Sequence, residues 1–417
     1  MKIMIVVGAR PNFMKAAPIM QAMARYNEGA GKGPAGSSQE KIEYLLVHTG
    51  QHYDARMSDA FFADLNLPQP DVFLGAGSGS HAAQTAEIMK RFEPVVLKEC
   101  PDVVVVAGDV NSTIACALVT AKITCGPEQK RPLIAHVEAG LRSFDRTMPE
   151  EINRILTDHL SDLLFVTEES GLRNLEKEGI PQERIFFVGN TMIDSLLASQ
   201  KKADASTVLD RLQLRSSGSV PAKPYALLTL HRPANVDRAE CFREILEGLH
   251  ELAGQLPIIF PAHPRTRKQI EENGLASYFD FSADLRDGAA AGQDPQGILL
   301  IDPQGYLDFL CLMKHASLVV TDSGGIQEET TGLGVACVTV RENTERPVTV
   351  DTGTNVLAGV DREGIRRAIR RQRQATRKHT VPYLWDGEAG RRIVDVLLRQ
   401  AQSTLVTDRA LPTVIGG

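Results

Sequence analysis

The sequence predicts an α/β protein made of two doubly wound, Rossmann-like domains facing a cleft. Three observations carry that reading. Short β-branched runs alternate with amphipathic helical segments along the chain. The runs are apolar throughout rather than alternating, which suits strands of a parallel sheet covered on both faces. The series occurs twice, with a turn-rich stretch between the two copies.

The first series opens with "KIMIVVG" (2–8) and continues with "EYLLVHTG" (43–50), "DVVVVAGD" (102–109), "PLIAHVEAG" (132–140) and "LLFVTE" (163–168). Helical segments such as "FMKAAPIMQAMARY" and "STIACALVTAKI" lie between these runs. The second series is "YALLTLH" (225–231), "PIIFPAH" (257–263), "GILLID" (297–302), "SLVVTD" (317–322) and "ACVTV" (336–340). The domains are expected at 1–190 and 191–385, joined near Gly189–Lys223, where "SSGSVPAKP" is rich in turn residues. "EAGRRIVDVLLRQAQ" reads as a C-terminal helix, about 386–405, with no strand after it. Residues 29–41 and 286–297 read as surface insertions. The basic run 366–378 reads as a solvated helix face, with a binding patch as the alternative.

With 417 residues, 43% hydrophobic and 24% charged, the chain has room for two substantial cores. The net charge of −6 argues against a nucleic-acid partner. No stretch approaches about 18 continuous apolar residues, so no membrane span is expected. Met1 leads straight into a strand without a signal-peptide pattern, which points to a cytoplasmic protein. The six cysteines, at 100, 116, 125, 241, 311 and 337, form no C-x-x-C pair and read as buried reduced thiols. No His or Cys cluster suggests a metal. No G-x-G-x-x-G with a following ribose-binding acid suggests NAD; "GAGSGSHAAQ" (75–84) has glycines without a clear strand before them.

In parallel α/β sheets, ligands sit beyond the carboxyl ends of the strands, so residues just after each run are site candidates. Gly, Asp and Ser there are also ordinary turn and cap residues. In "VTDSGGIQEE", Ser323, Gly324 and Gly325 open a helix whose amides and dipole suit a phosphate, and Glu329 could accept from ribose hydroxyls. In "GARPNFMK", Arg10 can grip an anion in a fork, Pro11 fits a first helical turn, and Lys15 is either a cleft residue or a surface lysine. Asp109 and Glu150 can each be a helix cap or a functional acid. Glu138, inside an apolar strand, costs free energy unless paired and is the hardest to explain by structure alone. His231 and Arg232 follow a strand of the second series; "PAHPRTR" places Arg265 and Arg267 similarly. A cationic, phosphate-ready cleft holding several carboxylates suits a nucleotide-sugar enzyme without naming its reaction.

The motifs "GARPNFMKAAPI", "HTGQHYD", "AGDVNST", "HVEAGLRS", "MPEEINRILTDHLSD", "VGNTMIDSL", "LTLHRPAN", "TDSGGIQEET" and "RENTERPVTVDTGTNVL" follow in order over some 350 residues. Together the chain resembles the non-hydrolysing UDP-N-acetylglucosamine 2-epimerases. The family's usual G-T-R-P-E is Gly8-Ala9-Arg10-Pro11-Asn12 here, and Pro11 favours this branch over hydrolysing relatives with G-T-R-A-[DE]. The resemblance implies a fold similar to the B-type glycosyltransferases, a terminal helix returning to the first domain, a homodimer and no cofactor. It implies C2 epimerisation of UDP-N-acetylglucosamine to UDP-N-acetylmannosamine through UDP elimination to 2-acetamidoglucal. By motif position, Arg10, Lys15, Asp109, Glu138, Glu150 and His231 correspond to residues important for catalysis. Ser323, Gly324, Gly325, Glu329 and Arg346, with Arg10 and His231, correspond to UDP-binding positions. Asp109 and Glu138 are the leading acid or base candidates, and Glu150 a sugar-side residue. Gln51 and His52 correspond to a second, activating substrate site, although Asp54 stands where another glutamine is frequent. Within the family, a subgroup acting on UDP-2,3-diacetamido-glucuronic acid is the runner-up; a UDP-sugar glycosyltransferase is the alternative from another class.

Overall fold

The computed structural model describes residues 1–30, 41–51, 64–65, 67–215, 223–280, 297–375 and 380–409, apart from the side chains of residues 10 and 401–409. Most of the expected insertions at 29–41 and 286–297 lies outside the described residues, as does most of "SSGSVPAKP". The chain divides into two compact units. One contains Met1–Leu141, Asp145–Ser195 and the segment from Tyr383; the other contains Leu196–Pro382 together with Arg142–Phe144.

The first unit runs β1 (Lys2–Val7), α1 (Arg10–Gly29), β2 (Glu43–His48), β3 (Val72–Phe73), α2 (His81–Glu99), β4 (Val103–Ala107), α3 (Asn111–Thr120), β5 (Leu133–Ala139), α4 (Pro149–Leu160), β6 (Leu163–Val166), α5 (Glu169–Lys177) and β7 (Ile185–Phe187), and α6 (Thr191–Asp204) leads out of it. Its strands pair in parallel, in the order β3-β2-β1-β4-β5-β6-β7. All five residues of β4, "VVVVA", are buried, because helices cover both faces of a parallel sheet. Val104 and Val106 share one core cluster with Ile88, Phe92 and Val96 of α2 and with Ala115 of α3. Each of the larger of these side chains stabilises the fold by about 1.5–3 kcal/mol on burial.

Pro18 sits inside α1 and has no N–H for the carbonyl of Met14, four residues back. The Ser195 hydroxyl donates to that carbonyl at 2.6 Å, so the orphaned acceptor is satisfied from α6. The C-terminal helix, α15 (Ala389–Arg409), packs on the same place: a Cβ on Gly390 would lie 2.6 Å from the Pro18 carbonyl oxygen. The Trp385 indole donates to the Thr167 carbonyl at 3.0 Å, tying the approach to this helix into the first unit.

The second unit runs α7 (Val208–Arg211), β8 (Ala226–Thr229), α8 (Pro233–Val236), α9 (Ala239–Ala253), β9 (Ile258–Pro261), α10 (Pro264–Glu272), β10 (Phe279–Asp280), β11 (Ile298–Ile301), α11 (Tyr306–His315), β12 (Leu318–Thr321), α12 (Gly324–Leu333), β13 (Cys337–Thr339), α13 (Val348–Asp351), β14 (Asn355–Leu357) and α14 (Arg362–Gln374). The strand order is β10-β11-β9-β8-β12-β13-β14, again with parallel pairs. Leu228, Phe260, Leu300, Val320 and Val338 meet Phe242 and Ile245 of α9 and Ile365 and Ile369 of α14 in one core. The outer face of α14 is solvated: Arg366 pairs with Glu363 at 2.8 Å and Arg370 with Glu251 at 2.5 Å.

Among the described residues the ten expected strands are all present, and four more appear: β3, β7, β10 and β14. Those four are the edges of the two sheets. They are two or three residues long and only partly buried, too short to stand out as strands in the sequence. The cysteine expectation needs correcting. Cys100 and Cys125 form a disulfide, with Cα atoms 5.6 Å apart, while Cys116, Cys241, Cys311 and Cys337 are free thiols. Cys100 is the left-handed C-cap of α2, and the turn after α3 returns Cys125 beside it; a separation of 25 residues gives no local spacing signal.

Candidate functional site

In the first sheet the order reverses between β1 and β4, so the chain leaves these neighbours toward opposite edges. The crevice beyond their carboxyl ends is the usual ligand position. The "GARPN" turn follows β1 and the "GDVNST" turn follows β4. Asn12 ties them together. Its carbonyl oxygen accepts from the Gly8 and Ala9 amides at 3.1 and 2.9 Å, and its amide donates to the Ala107 carbonyl at 2.7 Å. A glutamate could accept from the first turn but could not make the last bond. Gly8 is required by closeness: a Cβ there would lie 2.7 Å from the Thr49 hydroxyl and closer still to that of Ser112. Arg10 opens α1, and its side chain lies outside the described residues.

Lys15 points inward. Its Nζ is 2.7 Å from Glu138 Oε2, and both residues are buried. Gly108, in the left-handed region at φ +67°, leaves the space; a Cβ there would lie 2.7 Å from the Lys15 nitrogen. Glu138 has φ +74°, and β5 slips register against β6 between Val137 and Ala139. A bulge therefore re-aims the carboxylate, and a non-glycine residue there stores strain of about 1–3 kcal/mol. So the buried acid is paired, and its backbone is held in a conformation that favours glycine.

Asp109 is half-buried, and its Oδ2 lies 2.9 Å from Arg154 Nε. Arg154 also pairs with Glu151, three residues earlier on α4. Asn153 donates to the Asp109 carbonyl at 2.9 Å. Glu151, Arg154 and Asp158 thus make a buried polar stripe along α4, while Glu150, in the first turn, is half-buried. Gln51 is buried, and its side-chain oxygen accepts from the amide and hydroxyl of Ser112 at 2.9 and 2.7 Å. His52 and Asp54 lie outside the described residues.

In the second sheet the reversal falls between β8 and β12. His231 follows β8, and Ser323 follows β12. Asp322, fully buried, organises both turns. It accepts from the His231 amide at 3.1 Å, from the Arg232 amide at 2.9 Å and from the Asn235 side chain at 3.1 Å. His231 Nδ1 is 2.8 Å from Asp322 Oδ1, while the side chain as a whole is 57% exposed. The aspartate thereby fixes the ring and leaves the Nε2 edge outward. Burial pushes the Asp322 carboxyl upward, but His231 and the amides of residues 231 and 232 outweigh it and hold its pKa below the ordinary value.

Ser323 is the N-cap of α12, yet its side chain makes no capping bond, so the first-turn amides are not closed off by it. Gly324 packs against Arg346; a Cβ there would lie 2.7 Å from Glu345 Oε1 and closer to the guanidinium. Arg346 is buried, 3.0 Å from Glu328 Oε2 and paired with Glu345. Gly325 is half-buried in the first turn, and buried Glu329 accepts from the Tyr306 hydroxyl at 3.3 Å. Arg265 and Arg267 pair instead with Asp237 and Asp302.

Within the first unit, Lys15 and Glu138 share one contact, and Asp109 shares another with Arg154. Within the second, His231 and Ser323 flank Asp322, and Gly324 packs on Arg346. Asn12, Arg154 and Asp322 were not singled out by sequence as site residues. Arg154 carried a faint signal, being three residues beyond Glu151 on a helix. Among the described residues, no group of three His, Cys, Asp or Glu could hold a metal ion.

A family profile described as UDP-N-acetylglucosamine 2-epimerase matches residues 35–398. The UDP-N-acetylglucosamine 2-epimerase of Methanocaldococcus jannaschii is 42% identical, over 95% of this chain and 99% of its own. The UDP-2,3-diacetamido-2,3-dideoxy-D-glucuronate 2-epimerase of Pseudomonas aeruginosa is 37% identical, over 96% and 100%. The crystal structure of the M. jannaschii UDP-GlcNAc 2-epimerase in complex with UDP-GlcNAc and UDP is similar at a TM-score of 0.79, with 41% identity, covering 96% of this chain and 100% of that one. With paired acids at one switch point and an open helix N-terminus at the other, this chain belongs to the UDP-N-acetylglucosamine 2-epimerase family.

Proposed function

We propose that the chain interconverts UDP-N-acetylglucosamine and UDP-N-acetylmannosamine by eliminating UDP to 2-acetamidoglucal and adding it back. The observation that carries this reading is the buried pair of Lys15, on the helix after β1, with Glu138, on a strained bulge of β5. An acid kept there at such cost suits proton transfer. The C2 hydrogen of the sugar is not next to a carbonyl, so it cannot be abstracted as from a ketone. In the elimination, a carboxylate takes the C2 proton while the C1–O bond breaks and UDP leaves with the electron pair. Re-addition delivers a proton to the opposite face of C2 and restores the C1–O bond.

Asp109 and Glu138 act as the acid and base, and Glu150 serves the sugar side. Arg10, Lys15 and His231 offset the charge that develops on the departing UDP. The α12 amides at Ser323, Gly324 and Gly325 take a phosphate, with Glu329 and Arg346 completing the nucleotide contacts. Gln51 and His52 serve an activating substrate site. The family resemblance further supports a cytoplasmic homodimer, for which the mass of the particle in solution is the check.

The test is proton NMR in heavy water with UDP-N-acetylglucosamine, without added NAD or metal. C2 inversion with deuterium at C2 is expected; turnover that leaves hydrogen at C2 sinks the elimination route. The P. aeruginosa relative supports the diacetamido-uronate nucleotide as a second substrate, to be run in the same experiment. Consumption of UDP-sugar only in the presence of an acceptor would instead mark a glycosyltransferase.

A further inference from the structure

Two residues before Glu138 on β5, His136 has no solvent exposure, and neither has Asp158 of α4. His136 Nδ1 is 2.6 Å from Asp158 Oδ1, and its Nε2 is 2.8 Å from the Gly108 carbonyl oxygen. Asp158 Oδ2 accepts from the Gly140 amide at 3.0 Å. A carbonyl oxygen can only accept, so Nε2 carries a proton. A second proton lies between Nδ1 and the carboxyl group. A buried pair of this kind adds little stability over apolar residues of the same volume, so packing does not account for it.

Its contacts fall on the two backbone stretches that carry the acids. Gly108 immediately precedes Asp109, and Gly140 follows Glu138 by two residues. Both glycines are left-handed, at φ +67° and +82°, so each marks a sharp change of chain direction beside an acid. The Gly108 amide also donates to the Val137 carbonyl at 3.0 Å, so the two stretches are already joined at one point. The dyad adds a second link, from the Gly108 carbonyl through the ring and the carboxyl to the Gly140 amide.

We propose that His136 and Asp158 are positioning residues that fix Asp109 and Glu138 relative to one another through the Gly108 and Gly140 peptides. This rests on the acid–base reading of Asp109 and Glu138. Being wholly buried, the dyad acts through the backbone rather than by touching substrate. A misplacement of about 1 Å at reacting groups costs about a hundredfold in rate.

The experiment compares His136→Gln, His136→Phe and Asp158→Asn in the full chain. It measures kcat and KM for UDP-N-acetylglucosamine, deuterium incorporation at C2, and Tm. His136→Phe and Asp158→Asn are expected to lower kcat about ten- to a hundredfold while KM stays within about threefold. His136→Gln, which keeps an N–H for the Gly108 carbonyl, is expected to recover kcat to within about fivefold of the parent. A folded His136→Phe or Asp158→Asn with parental kcat overturns the proposal. So does a His136→Gln no better than His136→Phe. If Asp158→Asn does not fold, the Gln and Phe pair decides alone. Glu138→Gln separates the two readings: parental turnover there removes the acid–base assignment itself. An inactive Glu138→Gln beside fully active dyad variants removes only the dyad.

Discussion

Glu138 combines two unfavourable features, burial and a left-handed backbone, and its partner Lys15 is equally buried. An apolar residue would avoid the cost of burying a charge and a glycine would avoid the backbone strain, which is why a glutamate at this position reads as chemistry. Glu138→Gln and Asp109→Asn are expected to lower turnover by about 10²–10⁴-fold, the range for a lost general acid or base. UDP affinity, read by calorimetry, should change little, because neither residue is assigned to the nucleotide. Gly324 gives the complementary prediction. A methyl group there collides with Arg346 and Glu345, so Gly324→Ala should weaken UDP binding by about tenfold or more, or about 1.4 kcal/mol. Unchanged UDP affinity in that variant would remove Gly324 from the binding turn. Of these residues, Glu138 was legible in the sequence because an acid interrupts an apolar run. Asn12, Arg154 and Asp322 were not, because their roles lie in bonds to residues distant along the chain.

At the scale of elements, the two central strand pairs carry the site turns at their carboxyl ends. The sequence showed these strands clearly, since buried strands of a parallel sheet are continuous apolar runs. It was silent on the four edge strands, whose backbones pair on one side and whose residues are only partly buried. The close approach of β5 to α5 depends on glycines: a Cβ on Gly140 would lie 2.5 Å from the Gly171 carbonyl oxygen and 2.8 Å from its Cα. Both are backbone atoms and cannot swing aside. Gly140 also has φ +82°, which adds strain for any other residue. Gly140→Ala is therefore expected to destabilise the first unit by about 2 kcal/mol or more, with a lower Tm and reduced turnover. A thermal scan showing parental Tm would mean that β5 and α5 can separate without cost.

For the whole molecule, the return of the chain to the first unit is tied down by Asp194, which accepts from the Gly390 amide at 2.8 Å. Burial raises its carboxyl pKa to about 6 from the ordinary 3.8; Asp386 and Glu388 push the same way, against the Gly390 and Ala389 amides. The folded state thus holds this proton more tightly than the unfolded chain does. That contribution is fully present below about pH 4 and is lost as pH rises through about 6, a change of about 3 kcal/mol. Asp194→Asn removes the titration, so the dependence of unfolding free energy on pH between about 4 and 6.5 should flatten relative to the parent. An unaltered slope, measured by denaturant unfolding across that range, would mean that Asp194 titrates normally.

The sequence alone determined the two doubly wound series, the turns that hold the site residues, and the family they resemble. It could do so because buried strands and helix-opening glycines are local patterns. Only the tertiary structure decided the strand order that puts β1 beside β4 and β8 beside β12, and hence which turns become neighbours. It also decided that Cys100 meets Cys125, that Asn12 binds the end of β4, and that Lys15 pairs with Glu138 rather than lying on the surface. Each of those is a contact between residues 25 to 123 positions apart, and no periodicity along the chain encodes its partner.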